Sequence, residues 1–209
     1  MTNLEHVIQY VTENNLPGAF VETGTHTGGA SAFALKSFLR HDPDGNRPYW
    51  GFDSFEGMPA PTQEDGEHGA FWIYGKKMND IASKKPGTLT GHDVNVADFD
   101  ECKQYLVGTG YKPNLINLVK GWFQDTLAKH KAEVGTIAIL RLDGDFYEST
   151  KVVLEELYDQ VVSGGVVIID DYGAFEGCRK AVKEFFTSRS KVPVHLVVVD
   201  RSIRYFIKP

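Results

Sequence analysis

Residues 136–171 read TIAILRLDGDFYESTKVVLEELYDQVVSGGVVIIDD, and this stretch decides the fold. Two runs within it, 136–142 and 166–169, are almost entirely apolar and have the length of short strands. Between the runs, apolar residues recur at helical spacing, at Leu154, Leu157, Tyr158, Val161 and Val162. The pair Gly164-Gly165 is expected to end this helix before the second strand begins. Strand, helix and strand in that order predict a βαβ unit in a parallel sheet whose two faces are both covered.

The same alternation of helices and strands extends toward the amino terminus. Apolar residues at helical spacing predict an opening helix at 4–11, which Pro17-Gly18 terminates. Three further apolar runs have the character of buried strands, at 19–21, 49–52 and 115–119. A helical pattern at about 31–39 follows the first of these runs. The chain is therefore expected to be an α/β protein with a mostly parallel sheet.

The carboxyl-terminal segment departs from this pattern. The strand-like runs 194–199 and 203–207 are separated by only Asp200, Arg201 and Ser202, and so short a connection forces an antiparallel hairpin. A mostly parallel sheet that ends in such a hairpin favours the class I methyltransferase architecture, a Rossmann-like sandwich with seven strands. The alternative is the all-parallel dinucleotide-binding architecture.

Length and charge limit the partners of the chain. The 209 residues, with a mass of 23.3 kDa, are expected to form one domain over 1–209. The formal net charge of -6 and the lack of a clustered basic surface argue against nucleic acid or an anionic membrane as a partner. A small-molecule partner is expected instead. The oligomeric state is open, with a homodimer as one alternative.

Location and one long loop can also be predicted. No stretch approaches the ~18 apolar residues of a membrane helix, and the amino end has no signal-peptide pattern. Cys102 and Cys178 lie far apart and outside any CxxC motif, so neither a zinc site nor a disulfide is indicated. We therefore expect a cytoplasmic protein. The irregular segment at about 58–96 is long enough for a functional lid or acceptor loop, although a disordered segment is the alternative.

Ligands of open α/β sheets bind beyond the carboxyl ends of the strands, where this chain places several polar residues. The first strand leads into residues 22–29, ETGTHTGG, whose glycines permit close backbone approach but do not form the GxGxxG fingerprint. Asp53 ends the second strand and can accept hydrogen bonds from both hydroxyls of a ribose. Residues 121–125, GWFQD, offer an aromatic surface to an adenine ring, although Trp122 and Phe123 are equally explained as core residues.

Four carboxylates stand at the ends of the two strands quoted first. Asp143 and Asp145 follow one strand, Asp170 and Asp171 follow the other, and all four converge if the strands are neighbours. Such a cluster repels itself without a cation, which favours a bound Mg²⁺, with Mn²⁺ or Ca²⁺ as alternatives. Capping is the structural alternative: Asp145 for a helix that begins near Glu148, and Asp170 or Asp171 for a turn.

A nucleotide-cofactor site beside a hard cation suits a reaction in which an alcohol becomes a nucleophile. An alcohol is too weak an acid to ionise unaided at neutral pH, so a cation and a nearby base lower the cost together. Methyl transfer from S-adenosylmethionine to oxygen needs both, and positioning of the acceptor adds to the effect.

Several longer motifs resemble one known family. They are FVETG with Gly28-Gly29, GFDSFEGMP at 51–59, GWFQDTL at 121–127, DGDFYEST at 143–150 and the run 165–171. Together they are similar to the macrocin O-methyltransferase family, over about 20–186 of this chain. The resemblance implies transfer of a methyl group from S-adenosylmethionine to a hydroxyl on a sugar unit of a natural product, with Mg²⁺.

Position by position, the resemblance implies that Asp143, Asp170 and Asp171 hold the metal and that Asp145 is the general base. It implies that Asp53 binds the ribose and that Glu22 lies by the methionine part of the cofactor. The full predicted cofactor set is Glu22, Thr23, Gly24, Thr25, Ser31, Asp53, Ser54, Gly121, Trp122, Phe123 and Asp143.

Three alternatives in function stay open at this point. The first alternative is a methyltransferase whose acceptor is a catechol-like phenol. The second is a nucleotide-cofactor oxidoreductase, and the third is a binding domain without turnover. The broken glycine fingerprint and the terminal hairpin disfavour the oxidoreductase. His26 is expected either to contact the cofactor carboxylate or to be exposed, and Arg141 and Arg179 are expected to form structural ion pairs with the acidic strand ends.

Overall fold

The computed structural model describes residues 2–67, 94–189 and 194–209. Seven strands form one sheet: β1 (Ala19–Thr23), β2 (Tyr49–Asp53), β3 (Ile116–Lys120), β4 (Ile137–Leu142), β5 (Val161–Ile169), β6 (Val197–Val198) and β7 (Arg204–Ile207). Their order is β3-β2-β1-β4-β5-β7-β6. The first five are parallel, and β7 runs antiparallel to both β5 and β6. The predicted class I methyltransferase fold is therefore confirmed.

Helices cover both faces of this sheet. They are α1 (Thr2–Glu13), α2 (Gly29–His41), α3 (Phe99–Val107), α4 (Phe123–Val134), α5 (Tyr147–Leu157) and α6 (Glu176–Arg189). Short 3₁₀ helices lie at Gln63–Asp65, Pro113–Leu115 and Tyr158–Gln160. None of the helices in the described ranges is both long enough and apolar enough to cross a membrane.

Alternation of side chains along the strands produces two cores. Phe20 and Ile139 face one side and pack with residues of α1, α2 and α3, whereas Val21 and Leu140 face the other side and pack with α4, α5 and α6. Every residue of β4 is buried, as expected for a central strand covered on both faces. The sheet lies between the two cores, and its parallel strands β1, β2, β4 and β5 all end at the same edge.

One local prediction is wrong. The helix stripe was expected to include Val161 and Val162, but α5 ends at Leu157 and β5 already begins at Val161, which pairs with Ile137. Gly164 therefore lies within a strand, with φ +81°, and its N–H donates to the carbonyl of Lys208 at 2.8 Å. β-Branched valines favour strands when a partner strand is available, and here the tertiary pairing outweighs the helical spacing.

Helices α3 and α4 were not among the predicted elements. The amino end of α3 is capped by Asp98, whose carboxylate accepts from the N–H of Glu101 at 2.9 Å. The terminal hairpin was predicted and is present, with strands shorter than the apolar runs that predicted them.

Candidate active site

A cavity of about 230 Å³ opens at the carboxyl ends of the parallel strands. Its walls come from the segments that follow β1, β2, β3 and β4, together with residues at both ends of the predicted loop. The lining residues are Gly24, His26, Asp53, Ser54, Gly57, Met58, Pro59, Asn95, Trp122, Phe123, Gln124, Asp143, Gly144, Asp145 and Ser149. The cavity thus lies where ligands of open α/β sheets bind.

The floor of the cavity depends on the close approach of two strand ends. Gly24 has φ +92°, and a Cβ added there would lie 1.7 Å from the backbone oxygen of Asp143. The N–H of Asp143 donates to the carbonyl of Thr23 at 2.9 Å, which holds the two chains together. Only glycine fits this position, because both the backbone conformation and the space exclude a side chain.

Asp53 is held by two backbone donors. Its Oδ2 accepts from the N–H of His26 at 2.7 Å, and its Oδ1 accepts from the N–H of Phe55 at 2.7 Å. Both donors belong to residues with left-handed backbone, φ +51° for His26 and φ +55° for Phe55. A carboxylate oxygen can accept more than one hydrogen bond, so Asp53 still has acceptor capacity toward the cavity.

The predicted cofactor residues either line the cavity or lie behind its wall. Six line the cavity: Gly24, Asp53, Ser54, Trp122, Phe123 and Asp143. Four are buried behind it: Glu22, Thr23, Thr25 and Ser31. Gly121 supports the wall, since its N–H donates to the carbonyl of Asp53 at 2.8 Å. Their roles toward a cofactor stay predictions.

Three of the four predicted carboxylates come together. Asp143, Asp170 and Asp171 each offer one oxygen, and these oxygens lie within 4.8 Å of one another. Burial raises the pKa of Asp171 well above its ordinary value, and the charges on Asp145 and Asp143 raise it further. Burial and Asp143 also raise the pKa of Asp170, against the opposing effect of Arg141. The arrangement is unfavourable to three ionised groups unless a cation joins them.

Asp145 lies beside this trio. Its backbone is left-handed, with φ +57°, and its N–H donates to Oδ2 of Asp171 at 3.1 Å. Burial is the main cause that raises the pKa of Asp145 to about 7, and the charge on Asp143 adds to it. A carboxyl with a pKa near neutrality is suited to proton transfer at physiological pH.

The capping alternative for Asp145 is wrong. The residue before α5 is Phe146, and within the described residues it makes no side-chain cap. The free N–H of Tyr147 instead donates to Oδ1 of Asp65 at 2.7 Å. Asp65 is 1% exposed and comes from the 3₁₀ helix at Gln63–Asp65, so a distant carboxylate caps α5.

The basic residue among these acids is Arg141. Its Nη1 lies 2.8 Å from Oε1 of Glu22 and 2.6 Å from Oδ2 of Asp143, and its Nη2 lies 2.6 Å from Oδ1 of Asp170. The predicted ion pair of Arg141 with the acidic strand ends is confirmed. Arg179 donates to the backbone carbonyl of Tyr172 at 3.4 Å.

Sequence reasoning did not single out Ser149, which lines the cavity, or Asp65, which accepts a hydrogen bond from the N–H of Tyr147. For Asp65 a signal existed, because Thr62-Gln63-Glu64-Asp65 has capping-box spacing, and both bonds of that box are present. The bond from Asp65 to a helix far along the chain had no local signal.

The strand order, the reversed seventh strand and the cavity at the carboxyl ends of β1, β2 and β4 define a class I methyltransferase fold. The family model described as Macrocin-O-methyltransferase (TylF) matches residues 1–86 and 88–208. The chain therefore belongs to the macrocin O-methyltransferase family, and it is an O-methyltransferase rather than an oxidoreductase.

Named relatives agree with this assignment. The chain is 33% identical over 206 residues to demethyldecarbamoylnovobiocin O-methyltransferase of Streptomyces niveus, which covers 99% of this chain and 72% of that protein. It is 36% identical over 186 residues to 8-demethyl-8-(2,3-dimethoxy-alpha-L-rhamnosyl)-tetracenomycin-C 4'-O-methyltransferase of Streptomyces olivaceus, covering 88% of this chain and 64% of that one. The chain thus spans less than two thirds of the second relative.

Solved structures show the same fold. The O-methyltransferase NovP superposes with a TM-score of 0.77 at 30% identity, covering 99% of this chain and 78% of that one. The calicheamicin methyltransferase CalS11 superposes with a TM-score of 0.75 at 20% identity, covering 99% and 77%. The second similarity concerns the fold alone.

Proposed function

We propose that this protein transfers a methyl group from S-adenosylmethionine to a hydroxyl of a sugar or glycoside, with the help of Mg²⁺. The observation that carries the proposal is the convergence of Asp143, Asp170 and Asp171, since Asp143 and the neighbouring Asp145 line the cavity. Family membership adds the class of reaction.

The donor set fits a hard divalent cation. Carboxylate oxygens are the ligands that Mg²⁺ prefers, and Mn²⁺ or Ca²⁺ would also accept them. Asp143, Asp170 and Asp171 would hold the ion. A cation bound there would lower the pKa of a hydroxyl group that contacts it.

Asp145 is proposed as the general base. It lines the same cavity as Asp143, and its backbone is fixed by the hydrogen bond to Asp171. The raised pKa of about 7 makes its carboxylate a stronger proton acceptor than an exposed aspartate. Asp145 would take the proton of the acceptor hydroxyl while the oxygen gains the methyl group.

The other half of the cavity suits the cofactor. Asp53 would bind the ribose hydroxyls, Trp122 and Phe123 would contact the adenine, and Gly24 would leave room for the cofactor above the floor. Glu22, Thr23, Thr25 and Ser31 would organise the loop beneath the methionine part, since they are buried behind the cavity wall.

The acceptor is the least constrained part of the proposal. A sugar hydroxyl is favoured because the name of the Streptomyces olivaceus relative includes a rhamnosyl group. Met58, Pro59 and Asn95 line the cavity from the two ends of the predicted acceptor loop at 58–96, of which 68–93 lie outside the described residues. One domain over 1–209, a cytoplasmic location and a homodimer stay predictions.

The test measures the S-adenosylhomocysteine that forms from S-adenosylmethionine when each of a panel of glycosides and catechols is supplied as acceptor, with and without EDTA. We expect turnover with a glycoside, loss of turnover in EDTA, and recovery with excess Mg²⁺. A catechol as the better acceptor would favour the phenol alternative. Turnover that EDTA leaves unchanged would contradict the role of the cation.

Asp145→Asn tests the base separately. The variant is expected to bind S-adenosylhomocysteine with the wild-type affinity and to lose turnover about 10²- to 10⁴-fold, the usual contribution of a general base. Asp100→Asn, at an exposed position in the first turn of α3, is the control and is expected to retain activity. Wild-type turnover in Asp145→Asn would remove this residue from the mechanism.

A further inference from the structure

The guanidinium of Arg141 joins three strand ends. Its side chain is 11% exposed, and its two terminal nitrogens contact Glu22 near the end of β1, Asp143 after β4 and Asp170 after β5. Two of these partners, Asp143 and Asp170, are proposed metal ligands that follow different strands. Arg141 therefore bridges the two sides of the proposed cation site directly.

The contacts leave each ligand with a free oxygen. Arg141 uses Oδ2 of Asp143 and Oδ1 of Asp170, so the second oxygen of each carboxylate is not taken by the guanidinium. A guanidinium presents its N–H groups in a fixed plane, which fixes the carboxylates that it contacts. The guanidinium thus holds each of these two ligands through one oxygen and leaves the other oxygen available.

Arg141 is itself held from behind by a buried chain of hydrogen bonds. Oε1 of Glu22 accepts from Nη1 of Arg141 at 2.8 Å, and Oε2 of Glu22 accepts from the hydroxyl of Ser31. The Ser31 and Tyr49 hydroxyl oxygens lie 2.7 Å apart. Glu22, Ser31 and Tyr49 are each at most 1% exposed, so this chain lies in the packed interior. Side chains in a packed interior resist displacement, so the buried Glu22 fixes the position of the Arg141 guanidinium.

Charge and position act in opposite directions at this site. The positive charge of Arg141 competes with a cation for the field of the carboxylates, whereas its hydrogen bonds keep them close together before the cation arrives. Without the bridge, Asp143 and Asp170 would repel each other and turn outward, since their side chains are 30% and 21% exposed. The number and the directness of the contacts favour the positional effect.

We infer that Arg141 is a positioning residue that preorganises Asp143 and Asp170 for a divalent cation. The inference rests on the cation site of the proposed function. Partners that orient metal ligands typically contribute 10- to 100-fold to metal affinity, and the same range is expected here.

Binding of Mn²⁺ tests this inference without any acceptor. Affinity is measured by paramagnetic resonance or calorimetry, in the absence and in the presence of S-adenosylhomocysteine. Arg141→Lys keeps the charge and loses the fork, so we expect binding about 10-fold weaker or more. Arg179→Lys is the matched control, because this arginine contacts a backbone carbonyl instead of a carboxylate. The Mn²⁺ affinity of this variant is expected to stay within about twofold of the wild-type value.

A second variant removes the concern that Glu22 is left buried without a partner. The double variant Glu22→Gln with Arg141→Gln leaves the net charge of the site unchanged and removes the fork. It is also expected to bind Mn²⁺ about 10-fold more weakly than the wild type, or worse. Melting in EDTA with circular dichroism identifies variants that fold, and the comparison is made on those.

The outcomes separate the two proposals. Wild-type affinity in Arg141→Lys or in the double variant would overturn the positioning role while the cation site stands. Tighter binding in Arg141→Lys would overturn it as well. Absence of saturable Mn²⁺ binding by the wild type would overturn the cation site and this inference with it.

Discussion

In the absence of divalent cations, the protein is expected to be less stable at about pH 7.5 than at about pH 5.5. The reason is the raised pKa of Asp145, to about 7 from an ordinary 3.8, which results first from burial and then from the charge on Asp143. Because the folded-state pKa exceeds the unfolded value, the folded protein binds the extra proton. Stability is therefore greatest below the unfolded pKa and falls as the pH rises toward 7.

The magnitude follows from the size of this shift. Each pH unit between the two pKa values changes the free energy of unfolding by about 1.4 kcal/mol per group. From about pH 5.5 to about pH 7, Asp145 alone lowers the stability by about 2 kcal/mol. For a chain of this length that is a decrease of about 4–8 °C in Tm. Asp171 and Asp170, whose pKa values are also raised by burial, act in the same direction.

The assay is thermal unfolding across this pH range in EDTA and in excess Mg²⁺. Since a cation favours the ionised carboxylates, Mg²⁺ should reduce or remove the decrease. Asp145→Asn is the control, and its decrease in EDTA should be clearly smaller than that of the wild type. A Tm in EDTA that stays constant or rises between the two pH values would refute the reasoning.

Two further predictions concern the scaffold around the site. Gly24→Ala should lower the free energy of unfolding by at least about 3 kcal/mol, since both the left-handed backbone and a backbone oxygen exclude a Cβ. Gly29→Ala is the control and should change the free energy of unfolding little, because a Cβ added there has nothing within 4 Å among the described residues. Chemical denaturation checks both, and equal effects would contradict the argument. Asp65→Ala should cost about 1–2 kcal/mol because the N–H of Tyr147 loses its cap. The exposed neighbour Glu64→Ala should cost under about 1 kcal/mol, and a similar loss in both variants would show that the cap on Tyr147 contributes little to stability.

The parts of the site that the sequence predicts are those carried by strand ends. Apolar runs identify β4 and β5, and their last residues are followed directly by Asp143 and Asp170. Because parallel strands place their carboxyl ends at one edge, adjacency of the two strands was enough to bring the acids together. Asp53 and Gly24 were predicted by the same reasoning, at the ends of β2 and β1.

Local patterns fail where a distant partner decides the structure. Val161 has helical spacing from Leu157, yet the partner strand at Ile137 makes it a strand residue. Asp65 caps a helix that begins at Tyr147, and no spacing in the sequence connects them. The carboxylate of Glu22, whose place beside the cofactor stays a prediction, is buried against Arg141 and Ser31, and no spacing in the sequence indicates these partners. These contacts belong to the tertiary structure and leave no trace in periodicity.

The charges of the site connect its two proposed tasks. Three carboxyl groups among the described residues, those of Glu22, Asp143 and Asp170, contact the guanidinium of Arg141, and the carboxyl groups of Asp145 and Asp171 lie near Asp143. This excess of negative charge would attract a divalent cation and, together with burial, it raises the pKa of Asp145. Binding of the cation would weaken that second effect, so a stronger cation site would make Asp145 a weaker base. Arg141 neutralises part of this negative charge and also holds the ligands together. The ligands are thus positioned for a cation without the stronger cation binding that would make Asp145 a weaker base.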